Sequence, residues 1–163
     1  MYLKQYYMYF LFQLPPTTSG TFGINNQGLI TQIPDISTGT NNFISGNAET
    51  FSIQWLGYFK SNFTGEWTFY TNSDDCSYLW IGSNAISGFT TTNAVVNNGG
   101  GHAMSEKSGT ISLIFGEYYP IRIQYGENSG DQNIIVSFSH LTLTKTSDGT
   151  NFYYYMNNGV MRP

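Results

Sequence analysis

The sequence predicts an all-β fold, an antiparallel β-sandwich or barrel of short strands joined by polar turns. Aromatic residues make up 17% of the chain, and Asn, Thr, Ser and Gly dominate the remainder. This composition favours strands over helices. Short apolar stretches alternate with polar residues at a period of two, and turn residues separate them. The sequence has neither heptads nor a long amphipathic stripe, so we expect no helical domain.

Six stretches after residue 50 have the pattern of strands. They are FSIQWLGYF (51–59), EWTFY (66–70), YLWI (78–81), ISLIF (111–115), YPIRIQY (119–125) and IIVSF (134–138). Trp55, Trp67, Phe69 and Trp80 lie within them, and we expect each of these rings to pack in the core.

The C-terminal region predicts a hairpin. Residues 141–144 and 152–155 flank Asp148-Gly149. Because Asp-Gly adopts the positive φ angles of a type I′ turn, the two stretches are expected to pair with each other.

Residues 1–50 differ in composition from the rest of the chain. They begin with the aromatic run MYLKQYYMYFLFQL (1–14), and residues 15–50 form an extended lead-in rich in turn residues. The run is either a signal sequence or a strand that docks on the domain or on a neighbour, and no Ala-x-Ala-like cleavage site follows it. It is shorter than the approximately 20 apolar residues that span a bilayer, so no transmembrane segment is expected. At 163 residues, we predict one compact domain with an N-terminal arm (1–50) and a β domain (51–163).

Charge, cysteine and histidine content argue against several functional classes. The formal net charge is -4 and the six Lys and Arg residues are scattered, so no basic face is present to bind nucleic acid. Cys76 is the only cysteine, which excludes an internal disulfide, and a free cysteine of this kind is usually a buried small hydrophobic residue. His102 and His140 lack the spacing of a zinc site or the partners of a catalytic triad, so we expect no enzyme.

Three ordered blocks of the sequence form a recognisable pattern. The first contains Trp55, Gly57, Tyr58, Gly65, Trp67 and Phe69, the second is S-D-D-x-S-x-L-W-I from residue 73, and the third is Y-Y-P-I-R-I from residue 118. Together they resemble the PA-14 family, the β domain named from the anthrax protective antigen and found also in yeast flocculins and adhesins and as an insert in bacterial glycosidases. The resemblance covers roughly residues 51–138 and implies a β-sandwich of the PA-14 type.

The resemblance also implies a metal site. In the flocculin and adhesin branch, two adjacent aspartates at this turn are joined by a cis peptide and bind a calcium ion that holds sugar hydroxyls. Asp74 and Asp75 are therefore implied to be calcium ligands that also contact the glycan. A second loop supplies further ligands in that branch, and the matching residues here are Asn157 and Asn158. This chain departs from that branch at Cys76, which stands where a small residue, often Gly, is common.

Physical chemistry permits this site but also permits simpler interpretations. Neighbouring carboxylates converge on one ion only where the backbone departs from a regular strand, and Ca²⁺ prefers six to eight oxygen ligands. Residues 71–75 also have the composition of an ordinary solvated hairpin turn, and so does Asn158-Gly159. Glu127, Asn128 and Asp131 form another polar loop, which we interpret as a solvated turn.

Aromatic residues that face outward are candidates for stacking on sugar rings, and Tyr78 and Tyr154 are the predicted contacts. The loop of residues 97–102, rich in Asn and Gly, either caps the site or projects freely.

Two functions of different classes fit these features. The first is a non-catalytic carbohydrate-binding or adhesion module, with or without dependence on calcium, that binds a glycan on a cell surface or a polysaccharide. The alternative is a structural protein of a surface assembly, such as a virion decoration, fibre or minor capsid component, whose N-terminal arm contacts protein neighbours by strand addition. Both functions predict an extracellular location, at a cell surface or on a virion.

Overall fold

The computed structural model describes residues 5–7, 51–128, 130–131, 133–155 and 161–162. Its strands are β1 (Gln5–Tyr7), β2 (Phe51–Lys60), β3 (Gly65–Asp74), β4 (Cys76–Ile81), β5 (Val96–Asn98), β6 (Ser105–Leu113), β7 (Tyr118–Glu127), β8 (Asn133–His140), β9 (Leu143–Thr146), β10 (Phe152–Tyr155) and β11 (Met161–Arg162). Helical structure in these ranges consists of the one-turn helix α1 (Ser83–Ile86) and two 3-10 turns, Thr91–Asn93 and Gly149–Asn151. No helix in the described ranges is long and apolar enough to cross a membrane.

The strands form two sheets. The first sheet has the order β11-β10-β2-β7-β4-β5, and β1 pairs in parallel with the beginning of β2. The second sheet has the order β6-β3-β8-β9. Every other described pair is antiparallel. The predicted antiparallel β-sandwich is therefore confirmed.

An aromatic cluster between the two sheets forms the centre of the core. Phe59 of the first sheet is fully buried, and its ring lies edge-on to Trp67, Phe69 and Phe138 of the second sheet at centroid distances of 5.1, 5.0 and 5.2 Å. Edge-to-face pairs of this kind each contribute about 0.5–1.5 kcal/mol beyond the burial of their area. The strict alternation along β3 places Trp67 and Phe69 on the inner face, as the sequence predicted.

The outer face of the first sheet is covered by the segment that follows β4. Trp80 is 1% exposed, and its indole nitrogen donates to the carbonyl of Thr90 at 2.9 Å and to Oδ1 of Asn93 at 3.0 Å. The guanidinium of Arg122 lies 3.9 Å from the centroid of the Phe89 ring. Trp80 is therefore buried as predicted, but under a loop and not between the sheets.

The main chain just before β5 passes very close to the middle of β6. A Cβ added to Gly109 would lie 1.7 Å from the main-chain oxygen of Val95, so only glycine fits this approach of two backbones. The N-terminal half of β6, residues 105–109 (SEKSG), is polar without apolar alternation, and no strand was predicted there before residue 111. It is the edge of the second sheet, paired with β3.

The predicted C-terminal hairpin is wrong. β9 pairs with β8 in the second sheet, whereas β10 pairs with β2 in the first, so the two strands do not contact each other as a hairpin. Asp148 caps the 3-10 turn at residues 149–151, where its Oδ1 accepts a hydrogen bond from the amide of Thr150 at 3.0 Å. The segment carries the chain from one sheet to the other.

Residues 15–50, the predicted extended lead-in, lie outside the described residues.

Candidate functional site

The two adjacent aspartates lie where the chain crosses between the sheets. Asp74 is the last residue of β3 in the second sheet, and Cys76 is the first residue of β4 in the first sheet. The peptide bond between Asp74 and Asp75 is cis. The segment is therefore not the ordinary hairpin turn that its composition also permitted, because β3 and β4 belong to different sheets.

A third carboxylate completes an acidic cluster, which we define as Asp74, Asp75 and Glu127. Each residue offers one carboxylate oxygen, and these oxygens lie within 4.8 Å of one another. Glu127 is the last residue of β7 and is 2% exposed. The interpretation of Glu127 as part of a solvated turn is therefore wrong.

The sequence contained a signal for Glu127. Ile121, Ile123 and Tyr125 share the inner face of β7, and the same period of two places Glu127 on that face. A carboxylate that continues the buried face of an alternating strand is exceptional, because ionised side chains are almost never fully buried without a partner.

Main-chain amides from two loops hold Asp75. Its Oδ1 accepts a hydrogen bond from the amide of His102 at 2.8 Å, and its Oδ2 accepts one from the amide of Asn128 at 3.0 Å. The side chain is 8% exposed. The loop of residues 97–102 thus caps this side of the cluster, which decides between the two alternatives that the sequence left open.

The hydroxyl of Tyr125 links two members of the cluster, Asp74 and Glu127. It lies within hydrogen-bond distance of the main-chain carbonyl of Asp74, and 2.8 Å from Oε2 of Glu127. The ring is 1% exposed, so its position is fixed by the core. A phenol has one proton and donates it to one acceptor at a time.

The electrostatics of the cluster are unfavourable without a counter-charge. Burial raises the pKa of the Glu127 carboxyl, and the charges of Asp75 and Asp74 raise it further, while hydrogen bonds from Tyr125 and from the Asp75 amide act in the opposite direction. The second oxygen, Oε1 of Glu127, is buried without a hydrogen-bond partner. The same is true of Oδ1 of Asn133, the residue paired with Asp74 across the second sheet.

The donor set fits a calcium ion. Oxygens that coordinate Ca²⁺ at about 2.3–2.6 Å lie at most about 5.2 Å apart, and the three carboxylates meet that limit. The ion prefers oxygen from carboxylates and amides. Asp74, Asp75 and Glu127 are therefore the described residues that would hold a metal, and the orphaned Oε1 is an oxygen still lacking a partner.

The other predicted site residues have different outcomes. Tyr78 lies on the outer face of β4, where its ring stacks on Trp80 at 5.7 Å, and an added Cβ on Gly99 would lie 2.1 Å from its hydroxyl. The loop that caps Asp75 thus also covers the Tyr78 hydroxyl. Asn157 and Asn158 lie outside the described residues. The backbone of Tyr154 pairs with Arg162 in β11, and its side chain is outside the described part. The ligand roles of these residues stay predictions.

Cys76 is half-buried, and its thiol lies 3.5 Å from the carbonyl of Gly126. Burial, followed by the charge of Asp75, raises the pKa of the thiol. Both effects disfavour the thiolate, so Cys76 packs beside the cluster as a neutral group.

Solved structures share this fold. The A domain of epithelial adhesin 6 from Candida glabrata, in complex with Galβ1-3GlcNAc, superposes with a TM-score of 0.56 at 22% identity, over 71% of this chain and 56% of that chain. The PA14 domain of the MpAFP antifreeze protein gives 0.54 at 15% identity, over 68% and 55%. An anti-sigma factor domain-containing protein gives 0.62 at 22% identity, over 76% and 40%. The chain thus spans about half the length of these structures, and the predicted PA-14 fold is confirmed.

No curated relative matches the sequence. A family profile described as the GLEYA domain matches residues 51–140, which is more than half of the chain and includes β2 to β8 with the whole acidic cluster. The chain belongs to the GLEYA domain family.

Proposed function

We propose that this domain is a calcium-dependent carbohydrate-binding module that acts in adhesion at a cell surface. The observation that carries the proposal is the acidic cluster, in which carboxylate oxygens of Asp74, Asp75 and Glu127 lie within 4.8 Å of one another and Oε1 of Glu127 is buried without a partner. Three carboxylates this close repel one another unless a cation is shared between them.

The same geometry supports ligand binding through the ion. Ca²⁺ takes six to eight oxygens, and the cluster supplies three side chains. The remaining positions are available to main-chain or amide oxygens, to water and to ligand hydroxyls. Neighbouring hydroxyls of a sugar ring are oxygen donors of the kind that the ion prefers.

The structural neighbours support a glycan as the ligand. The A domains of epithelial adhesin 6 and epithelial adhesin 9 from Candida glabrata were solved with Galβ1-3GlcNAc and Galβ1-4GlcNAc, respectively. We therefore propose terminal β-galactosides as the first class of glycan to test, and a binding role without catalysis.

The test combines thermal unfolding with glycan binding. We expect calcium to raise the melting temperature of the wild-type domain by mass action, and Asp75→Asn to remove that rise. Glu66→Gln is the matched control, because Glu66 is an exposed acid at the other end of β3. On an array of β-galactosides, we expect binding in calcium, loss of binding in a chelator, and recovery when calcium is restored.

The two parts of the proposal fail separately. A melting temperature that does not rise with calcium would refute the metal site. A melting temperature that rises with calcium, without binding to any glycan on the array, would support the metal site and refute carbohydrate binding.

A further inference from the structure

The end of the sandwich opposite the acidic cluster is apolar and exposed. Phe63, Ile114, Phe115 and Leu141, which we call the apolar pole, are 36%, 60%, 68% and 96% exposed. They are four of the seven exposed large hydrophobic side chains in the described part of the chain. Concentrations of exposed apolar surface of this kind usually mark a surface that something covers.

Three loops build the apolar pole and are tied together. Gly116 donates its amide to the carbonyl of Ser61 at 2.7 Å, and Phe115 donates its amide to Oγ1 of Thr64 at 2.9 Å. The ring of Phe63 stacks on His140, the residue before Leu141, at 5.0 Å with an interplanar angle of 9°. The loops 61–64, 114–117 and 141–142 therefore present one continuous surface.

The apolar pole is far from the acidic cluster. β3 begins at Gly65 beside the pole and ends at Asp74 in the cluster. A strand of ten residues spans about 30 Å at roughly 3.3 Å per residue. A group attached at the pole would leave the acidic cluster open.

An acceptor for such a group lies in the first loop. Asn62-Phe63-Thr64 is an N-glycosylation sequon, and all three residues are exposed. We infer that Asn62 carries an N-linked glycan and that this glycan is the cover of the apolar pole. The inference rests on the cell-surface location proposed above, since attachment requires passage through a secretory route, but not on calcium or on carbohydrate recognition.

The attachment is a glycosyl transfer from a lipid-linked oligosaccharide diphosphate. The Asn62 side-chain nitrogen forms a bond to the anomeric carbon of the first N-acetylglucosamine, and the bond from that carbon to the diphosphate oxygen breaks. The lipid diphosphate leaves with the electron pair, and the amide nitrogen loses one proton. The product places a bulky, hydrated chain next to Phe63 and Phe115, where it excludes other surfaces.

The loop offers matched variants for the test. Asn62→Gln removes the acceptor and keeps the hydrogen bond between Phe115 and Thr64. Thr64→Ser keeps both the sequon and a hydroxyl for that bond, and Thr64→Ala removes both. The full chain of each variant is secreted from a eukaryotic host, and its intact mass is measured before and after N-glycosidase treatment. We expect a glycan on the wild type and on Thr64→Ser, and none on the other two.

The second measurement tests the cover. We expect Asn62→Gln to bind an apolar fluorescent dye several-fold more strongly than the glycosylated wild type and to self-associate at lower concentration. Adding Phe115→Ser and Leu141→Ser to Asn62→Gln should reverse both changes. A secreted wild type without a glycan overturns the inference. A glycosylated wild type that matches Asn62→Gln in dye binding and association overturns the covering role, as does binding of phosphatidylcholine vesicles by the glycosylated wild type.

Discussion

Glu127→Gln should stabilise the calcium-free domain and reduce the stabilisation that calcium gives. The carboxylate oxygens lie within 4.8 Å of one another, and two unit charges at that separation repel by about 3.5 kcal/mol at an effective dielectric constant of about 20. The carboxyl can instead take up a proton. At about pH 7 this costs about 3.4 kcal/mol, because each unit above the ordinary value costs about 1.36 kcal/mol, and that value is 4.5. The calcium-free domain therefore carries about 3 kcal/mol of unfavourable free energy at this residue.

The amide of Gln removes that charge without changing the shape of the side chain, and its oxygen still accepts from Tyr125. In a chelator, we expect Glu127→Gln to raise the free energy of unfolding by about 1–3 kcal/mol. In calcium, the wild type gains about 2.7 kcal/mol at a concentration of about 100 times Kd. Loss of one ligand charge weakens binding at least ~10-fold, so at the same concentration the variant gains about 1.4 kcal/mol or less.

The assay is urea unfolding of both proteins with chelator and with calcium, and Glu66→Gln is the control with no expected change in either. The free energy of unfolding of the variant minus that of the wild type should decrease by about 1.3 kcal/mol or more when calcium is added. Equal calcium stabilisation of the variant and the wild type would refute the role of Glu127 as a ligand. A variant less stable than the wild type in chelator would refute the repulsion between Glu127 and the two aspartates.

Three further predictions follow from the same structure. The raised pKa of Glu127 means that the folded apo-protein holds a proton that the unfolded chain releases. The free energy of unfolding of the apo-protein should therefore fall as the pH rises through that pKa. Calcium affinity should rise over the same change, and titrations from about pH 5 to about pH 8 measure it. Tyr125→Phe should weaken calcium binding ~10–100-fold in calorimetry, since the hydroxyl orients Glu127; unchanged affinity would contradict this. Gly109→Ala should lower the free energy of unfolding by about 3 kcal/mol because Val95 must move, whereas exposed Ser108→Ala should not.

The sequence predicted the elements whose information is local. The alternation around Trp67 and Phe69 identified the inner face of β3. The adjacent aspartates were singled out as a pair, but their place at a crossover between the two sheets was not predicted. Sequence analysis missed Glu127 because the residues after it, Asn128-Ser129-Gly130, have the composition of a turn. The period of β7 continues through Glu127, and the strand pattern outweighs the composition there.

The errors arise where pairing between distant segments decides. Asp148-Gly149 suits a tight turn, but β9 and β10 find their partners in β8 and β2, which lie in different sheets. The polar half of β6 at residues 105–109 becomes a strand because β3 supplies its hydrogen bonds. Neither partner is encoded in the segment itself, so no local pattern could predict either result.

The crossover at Asp74-Asp75 has a mechanical consequence. Asp74 ends a strand of one sheet and Glu127 ends a strand of the other, so a divalent ion shared by them would fasten the two halves of the sandwich together at one rim. Small extracellular domains often obtain such a fastening from a disulfide, which a chain with one cysteine cannot form within itself. Withdrawing calcium would then loosen this rim, and the peptide chain through residues 74–76 would remain as the covalent link between the layers.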